Sequence, residues 1–178
     1  MLAVHGRPML ERVLDAVADA DVTVVVGPAS LPLPGGVVRV SEEPPGGGPV
    51  AATAAGLAAL AEIGPEAGST VALLAADLPF LHARAVAGLI AALEGSTVDG
   101  VVFVDSDRRQ QTLCGAWRVG PLRAALDRLG PPAGASMRAL LGGLRIGELA
   151  DGAVPPPWYD CDQPDDLLRA EEWTDERP

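Results

Sequence analysis

The sequence predicts an α/β fold in which helices cover both faces of a mainly parallel sheet. Runs of β-branched and aliphatic residues alternate along the chain with segments of helical spacing, as in consecutive βαβ units. One run, residues 70–76, is apolar on both faces, which is typical of a strand buried between two layers of helices. The length of 178 residues and the hydrophobic content of 48% fit one domain, residues 1–178, with a single core.

Two helices and two strands are predicted in the part of the chain that precedes this run. Residues 9–17 repeat apolar side chains at helical spacing, and residues 22–26 form an almost unbroken β-branched run, which predicts a helix and then a buried strand. Gly27 and the proline after it end that strand, and residues 37–40 predict a second, short strand. Ala and Leu dominate residues 50–63, which therefore predict the second helix.

The alternation continues through the rest of the chain. Helices are predicted where good helix formers recur or where a proline opens the segment, at residues 83–93, 121–128, 136–141 and 164–173. Strands are predicted at apolar runs, at residues 98–104 and 112–117, with two shorter candidates at residues 144–146 and 158–159. This order of elements favours right-handed crossovers between parallel strands.

Charge and composition exclude several classes of function. The formal net charge of -11 argues against a nucleic-acid partner, because binding to a phosphate backbone needs clustered Lys and Arg. No apolar run approaches about 18 residues and no signal-peptide pattern is present, so we expect a cytoplasmic protein without a membrane partner. Cys114 and Cys161 lack the C-x-x-C spacing of a zinc or redox site, which favours two buried free thiols.

Asp77 is the strongest candidate for a site residue. Ligands of open α/β sheets bind beyond the carboxyl ends of the strands, and Asp77 directly follows the apolar run at residues 70–76. Mg²⁺ prefers one or two protein carboxylates and completes its shell with water and phosphate oxygens, so one well-placed aspartate can hold it. The alternative is that Asp77 only caps the following helix.

Three further polar segments follow predicted strands. Residues 46–49 place glycines and a proline before a helix, where backbone amides could bind a phosphate or nucleobase, or they form an ordinary loop. Asp160 and Asp162 would point to one side of an extended segment and complete a metal or substrate site, or they belong to the acidic start of the last helix. In the polar turn before residue 112, Arg108 or Arg109 could meet an anionic ligand, or the turn is a solvated hairpin.

The order and spacing of these segments resemble the MobA family, the molybdenum cofactor guanylyltransferases, over nearly the whole chain. Residues 5–10 resemble the family's G-K/R-P-L segment, and residues 43–51 resemble its D…G-P-L-A segment. Residues 76–80, an Ala-Asp-Leu-Pro-Phe sequence, are similar to C/A-D-M/T-P-F/Y. Residues 160–167 resemble N/D-x-N/D-T-P-E-D-L.

The resemblance implies a three-layer, Rossmann-like nucleotidyltransferase fold and a magnesium-dependent transfer of GMP from GTP to Mo-molybdopterin, with release of pyrophosphate. It assigns both the catalytic role and the metal to Asp77. The positions that match the family's other site residues are Gly27, Glu43, Gly48 and Pro49 with Asp77 for the nucleotide, and Gln111 and Asp162 for the pterin side. Glu43 stands where Asp is usual, which changes the reach of that side chain. The implied protein partners are molybdenum cofactor biosynthesis proteins and acceptor molybdoenzymes.

The resemblance also implies an incomplete N-terminus. The family begins with a strand and a glycine-rich L-A-G-G…D-K loop, and Met1 falls just past the expected lysine. That loop's amides, Arg and Lys would hold the triphosphate, so their loss should lower the rate by orders of magnitude. Loss of the strand would leave two strand edges unpaired. We therefore expect an active full gene product and a weakly active or inactive chain of 178 residues.

Two other functions are compatible with these patterns. A related nucleotidyltransferase, such as one that uses CTP on the same cofactor, would share the segments described above. A degenerate domain that binds a nucleotide or recruits a partner without catalysis would explain the low number of basic residues, 13 in all. The patterns determine neither the nucleotide preference nor the oligomeric state.

Overall fold

The computed structural model describes residues 2–63 and 69–173. The helices are α1 (Met9–Ala16), α2 (Pro49–Ile63), α3 (Ala83–Glu94), α4 (Val119–Leu129), α5 (Met137–Leu141) and α6 (Pro164–Glu172). The strands are β1 (Ala3–Val4), β2 (Arg7–Pro8), β3 (Val24–Val26), β4 (Val38–Val40), β5 (Thr70–Leu74), β6 (Gly100–Val104), β7 (Gln110–Arg118) and β8 (Ile146–Ala150). Within these two ranges, no helix combines the length and apolar character needed to cross a bilayer.

The central sheet has four strands in the order β5-β7-β6-β8. Strands β6 and β8 are parallel, whereas β7 is antiparallel to both of its neighbours, β5 and β6. The carboxyl ends of β5, β6 and β8 therefore lie at one edge of the sheet. The α/β fold class is confirmed, and the sheet is mixed because a short hairpin turn, rather than a crossover helix, joins β6 to β7.

Helices cover both faces of this sheet, so the fold has three layers with the sheet in the middle. On one face, α1 and α3 pack against Val101 and Phe103 of β6. On the other face, α2, α4 and α5 pack against Val102 of β6 and Trp117 of β7. Alternate residues of β6 thus face opposite helical layers, as the period of a strand requires.

The degree of burial of β5 differs from the prediction for residues 70–76. Every residue of β5 is only half-buried, whereas every residue of β6 is buried. The reason is position: in the described sheet β5 is bonded only to β7, while β6 lies between β7 and β8. Apolar composition on both faces therefore did not distinguish a strand at the end of the sheet from one in its interior.

A separate two-stranded parallel sheet is formed by β3 and β4, with Val24 opposite Val38 and Val26 opposite Val40. Helix α2 packs on it at Gly56, where an added Cβ would come to 3.5 Å from Cγ2 of Val26. The same helix contributes to the core beneath the central sheet. Helix α2 therefore connects the two sheets.

An N-terminal hairpin, β1 with β2, was not predicted. Its turn has positive φ at His5 (51°) and Gly6 (72°), the backbone conformation of the tight turns that favour hairpins. The strands have only two residues each, so no alternating pattern could reveal them.

Two of the short predicted strands differ from the structure. The strand predicted at residues 144–146 is β8, which starts only at Ile146 because the amide of Arg145 is bonded to the carboxylate of Asp99, at 2.8 Å. The strand predicted at residues 158–159 is wrong, because Trp158 lies in a turn. The three prolines directly before Trp158 have no N–H to donate to a sheet.

Candidate functional site

The candidate site lies at the edge of the central sheet where β5, β6 and β8 end and β7 begins. Asp77 follows β5 at this edge. Residues 158–163 follow β8 in the chain and return to the same edge, because the ring of Trp158 stacks on Phe103 of β6 with centroids 5.0 Å apart. The position agrees with the rule that open α/β sheets bind ligands beyond the carboxyl ends of their strands.

Asp77 does not cap the following helix. The N-cap of α3 is His82, whose Nδ1 accepts a hydrogen bond from the amide of Ala85 at 3.1 Å. Atom Oδ1 of Asp77 is buried and has no hydrogen-bond partner in the described part of the chain. The alternative of a helix cap is thus excluded for Asp77, and its carboxylate is left for a ligand. The capping role of His82 was missed because histidine is not among the residues that favour this position.

The carboxylates of Asp77, Asp160 and Asp162 lie close enough to interact through their charges. Burial raises the pKa of Asp77 above its ordinary value, and the charges of Asp162 and Asp160 raise it further. Partial desolvation and the charge of Asp162 likewise raise the pKa of Asp160. We call these three side chains the carboxylate cluster. Because neighbouring negative charges repel one another, binding of a proton or a cation would stabilise the cluster.

Asp77, rather than the carboxylate cluster as a whole, offers the oxygen that a magnesium ion with few protein ligands would take. In residues 2–63 and 69–173, no group of three or more His, Cys, Asp or Glu side chains is arranged to hold a metal ion. Mg²⁺ does not need such a group, since it binds one or two carboxylates and keeps water or phosphate oxygens elsewhere. The partnerless Oδ1 of Asp77 supplies a hard oxygen ligand of the required kind.

The start of α6 is capped without Asp162. Atom Oδ2 of Asp166 accepts a hydrogen bond from the amide of Gln163 at 2.9 Å, and the hydroxyl of Tyr159 donates to the carbonyl of Asp166 at 3.1 Å. Asp166 is therefore the acidic residue that stabilises the first turn. Asp162 precedes the cap and remains exposed beside Asp77, together with Asp160.

The turn between β6 and β7 is organised by Asp105. Its Oδ1 accepts from the amide of Arg109 at 2.8 Å, and its Oδ2 accepts from Nε2 of Gln111 at 3.4 Å. Arg108 adopts a positive φ of 64° and forms an ion pair with Glu148 of β8. Gln111 thus lies at the site edge but is tied to the turn, and its role on the pterin side stays a prediction.

The other predicted nucleotide residues follow β3 and β4 in the chain. The amide of Gly27 donates to the carbonyl of Val40 at 2.8 Å. Gly48 has a φ of 89° and directly precedes Pro49, the first residue of α2. The glycine-rich turn therefore leads directly into the N-terminus of α2.

Within the glycine-rich turn, Glu42 rather than Glu43 has a structural role. Atom Oε1 of Glu42 accepts from the amide of Gly46 at 3.0 Å, whereas Glu43 is exposed. Gly47 is buried so tightly that an added Cβ would come to 2.8 Å from Cβ of Ala51. The turn is therefore held rigidly on α2, with the side chain of Glu43 at its surface.

Both cysteines are buried free thiols, as predicted. Burial raises the pKa of Cys114 to about 12. Burial, with the nearby acidic residues, raises the pKa of Cys161 to about 11. Both thiols are therefore protonated at neutral pH, as expected of buried cysteines without a nearby cation.

Solved structures share this fold. The molybdopterin-guanine dinucleotide biosynthesis protein A from Archaeoglobus fulgidus is 18% identical, with a TM-score of 0.69 over 96% of this chain and 87% of that chain. The 2-C-methyl-D-erythritol 4-phosphate cytidylyltransferase from Thermus thermophilus is 20% identical, with a TM-score of 0.66 over 96% of this chain and 90% of that chain. The 4-diphosphocytidyl-2C-methyl-D-erythritol synthase from Anaerococcus prevotii is 14% identical, with a TM-score of 0.65 over 96% and 90%.

At identities this low, likeness in structure shows the fold alone. No curated protein matches the chain in sequence. The model of the MobA-like NTP transferase domain, however, matches residues 1–148, a range that includes the glycine-rich turn and Asp77. The resemblance seen in the sequence is thereby confirmed, and the chain belongs to the MobA-like NTP transferase domain family, a family of nucleotidyltransferases.

Proposed function

We propose that this chain is a molybdenum cofactor guanylyltransferase, which transfers GMP from GTP to Mo-molybdopterin and releases pyrophosphate. The observation that carries the proposal is the carboxylate cluster at the carboxyl edge of β5, in a chain of the MobA-like family. The choice of guanine nucleotide and pterin is supported by the sequence resemblance, since the fold is shared with cytidylyltransferases as well as with the A. fulgidus protein.

Asp77 is the proposed metal ligand and catalytic residue, and Asp162 faces it from the pterin side. When bound, Mg²⁺ neutralises charge on the phosphates and orients them. The cluster repels a nucleotide that arrives without a cation, because its three neighbouring carboxylates concentrate negative charge. Nucleotide binding by these residues therefore depends on a divalent cation.

The nucleotide is proposed to lie along the glycine-rich turn and the start of α2. Amides at a helix N-terminus attract phosphate, and glycine allows close approach of the backbone. Gly27 provides that access after the end of β3, and Gly48 provides it directly before Pro49, the first residue of α2. The exposed side chain of Glu43 is the proposed contact to the ribose or base.

The proposed setting is the cytoplasm. The two free thiols, Cys114 and Cys161, accord with a reducing compartment. The proposed protein partners are molybdenum cofactor biosynthesis proteins and the molybdoenzymes that accept the finished cofactor.

Titration calorimetry with magnesium and nucleotide tests the proposal. The wild-type chain should bind GTP with Mg²⁺ in preference to CTP and ATP, and should bind it poorly in EDTA. The substitution Asp77→Asn should weaken binding of Mg²⁺–GTP by at least about tenfold, since it removes the charged ligand of the metal. Pyrophosphate release on addition of Mo-molybdopterin measures the transfer itself.

Asp107→Asn is the matched control. Asp107 is exposed on the neighbouring β6–β7 turn, and its loss removes the same charge without touching the carboxylate cluster. Binding of Mg²⁺–GTP should be unchanged in this variant. A preference for CTP would replace the guanylyltransferase with a cytidylyltransferase, and unchanged binding in Asp77→Asn would support a domain without catalysis.

A further inference from the structure

An exposed arginine lies in the β6–β7 turn, at the sheet edge that carries the carboxylate cluster. Arg109 is the residue directly before β7. Its amide donates to Oδ1 of Asp105 at 2.8 Å, and its carbonyl accepts from the amide of Asp105 at 3.2 Å. The backbone of Arg109 is therefore fixed at both of its polar groups. Its side chain is exposed and has no hydrogen-bonded or ion-paired partner among the described residues.

The neighbouring arginine, Arg108, already has an ion-pair partner. Arg108 is paired with Glu148 of β8, and the same glutamate accepts a hydrogen bond from Nε2 of Gln110 at 3.1 Å. Other arginines are likewise bound within the fold: Arg145 pairs with Asp99 at 3.0 Å, and Arg118 donates to three backbone carbonyls. The charge of Arg109 is thus available for a ligand, while the charge of Arg108 is already compensated.

The start of β7 lies beside the end of β5. Leu74 of β5 is opposite Cys114 of β7, and the amide of Ala75 donates to the carbonyl of Leu113 at 2.8 Å. Arg109 directly precedes β7 and therefore lies at the sheet edge where Asp77 follows β5. Its positive charge also favours the ionised form of Asp160. The glycine-rich turn, by contrast, follows β4 of the other sheet in the chain.

We propose that Arg109 binds the phosphate group of the acceptor substrate and positions it beside the nucleotide, an inference that rests on the proposed nucleotidyl transfer. A guanidinium donates paired N–H groups that match two phosphate oxygens, and arginine is the residue best suited to this contact. In the transfer, an oxygen of the acceptor phosphate forms a bond to the α-phosphorus of the nucleotide. The bond from that phosphorus to the bridging oxygen breaks, and pyrophosphate leaves with the electron pair. The ionised acceptor phosphate needs no general base.

The test compares Arg109→Gln with Arg108→Gln, which removes the same charge from the adjacent residue of the same turn. Glycerol 3-phosphate is the probe of a phosphate monoester, added to the full chain with and without Mg²⁺ and a non-hydrolysable GTP analogue. Affinity is measured by calorimetry and by the NMR shift of the arginine Nε–H groups. We expect glycerol 3-phosphate to bind at least about tenfold more weakly to Arg109→Gln and unchanged to Arg108→Gln, since one charge-assisted contact is lost.

The side chain of Arg109 forms no hydrogen bond or ion pair with the other described residues, so Arg109→Gln should unfold at the temperature of the wild type. Arg108→Gln loses the exposed ion pair with Glu148 and should unfold at a slightly lower temperature. Arg109→Lys should recover part of the affinity, since it keeps the charge but not the paired donors. Equal affinity of the wild type and Arg109→Gln for the probe would overturn the proposal. Weaker binding of the GTP analogue by Arg109→Gln, with the probe unaffected, would overturn it as well by placing Arg109 at the triphosphate. Arg109-dependent probe binding in a chain that binds no nucleotide would uphold the anion site and refute the guanylyltransferase.

Discussion

Charge at single residues determines what the site can bind. Asp77 is half-buried after β5 with one carboxylate oxygen lacking a partner, and two further aspartates face it. A carboxylate in this position costs the fold stability unless a cation compensates it. Sites of this kind are often less stable than their surroundings, because their geometry suits a ligand that the apo protein lacks.

Asp77→Asn should therefore raise the stability of the metal-free protein at neutral pH. The folded pKa of Asp77 lies above its unfolded value, so its contribution to stability is full below the unfolded pKa and is lost as the pH rises through the folded pKa. Because asparagine cannot ionise, the variant should not lose this stability as the pH rises. We expect the Tm of Asp77→Asn to exceed that of the wild type at neutral pH.

Differential scanning calorimetry in EDTA measures this effect. The control is the pH itself: well below the unfolded pKa, where both forms are neutral, the wild type and the variant should have equal Tm. A lower Tm for Asp77→Asn at neutral pH would show that the carboxylate stabilises the fold, contrary to the charge argument.

At the scale of elements, the segment of residues 158–163 is held by aromatic rings at its start. Trp158 stacks on Phe103, with ring centroids 5.0 Å apart. The next residue, Tyr159, contacts Trp173, as does Phe80, with centroids 4.8 and 5.3 Å apart. Although aromatic residues make up only 3% of the chain, all of them except Trp117 lie in this segment or pack near its start. Rigid rings thus position the part of the chain that carries Asp160 and Asp162.

Trp158→Ala should destabilise the protein by about 3–5 kcal/mol, the usual cost of removing a buried aromatic side chain. It should also weaken binding of Mg²⁺–GTP, since the segment with Asp162 loses its contact to the sheet. Urea unfolding and calorimetry measure the two effects. Trp158→Phe, which keeps a ring against Phe103, is the control and should retain most of both; equal losses in the two variants would contradict the stacking argument.

The alternation of helices and strands could be predicted, but their pairing could not. Local patterns were sufficient for α2, because Ala and Leu fill the segment, and for the position of Asp77 after an apolar run. The place of β7 between β5 and β6 depends on contacts between residues far apart in sequence, such as Leu74 with Cys114. The division of roles between Arg108 and Arg109 depends on Glu148 of β8, which no local pattern reveals.

At the scale of the whole molecule, the net charge of -11 opposes the approach of any polyphosphate. The nucleotide must reach an acidic protein, and this favours binding as a metal complex. The predictions of one domain over residues 1–178 and of an incomplete N-terminus stay predictions.

The association of Mg²⁺–GTP should become faster as salt is added. Raising the ionic strength from about 10 mM to about 100 mM shortens the Debye length from about 30 Å to about 10 Å, which weakens repulsion between like charges. Stopped-flow measurements with a fluorescent GTP derivative would record the rate. Fluorescent guanosine, which carries no charge, is the control and should be insensitive to salt. A rate for GTP that falls with salt would show that local cations, not the net charge, dominate the encounter.

The first and last described segments of the chain lie against each other. The amide of His5, in the β1–β2 turn, donates to Oε1 of Glu171 in α6 at 2.8 Å, and Val4 and Ala170 share one buried cluster. Detachment of α6 would thus release the hairpin that leads into α1 and, at the same time, the segment that carries Asp160 and Asp162. Trypsin cleavage after Arg169 would then serve as a gauge of ligand occupancy, because any molecule that bridges Asp77 and Asp162 should slow the digestion.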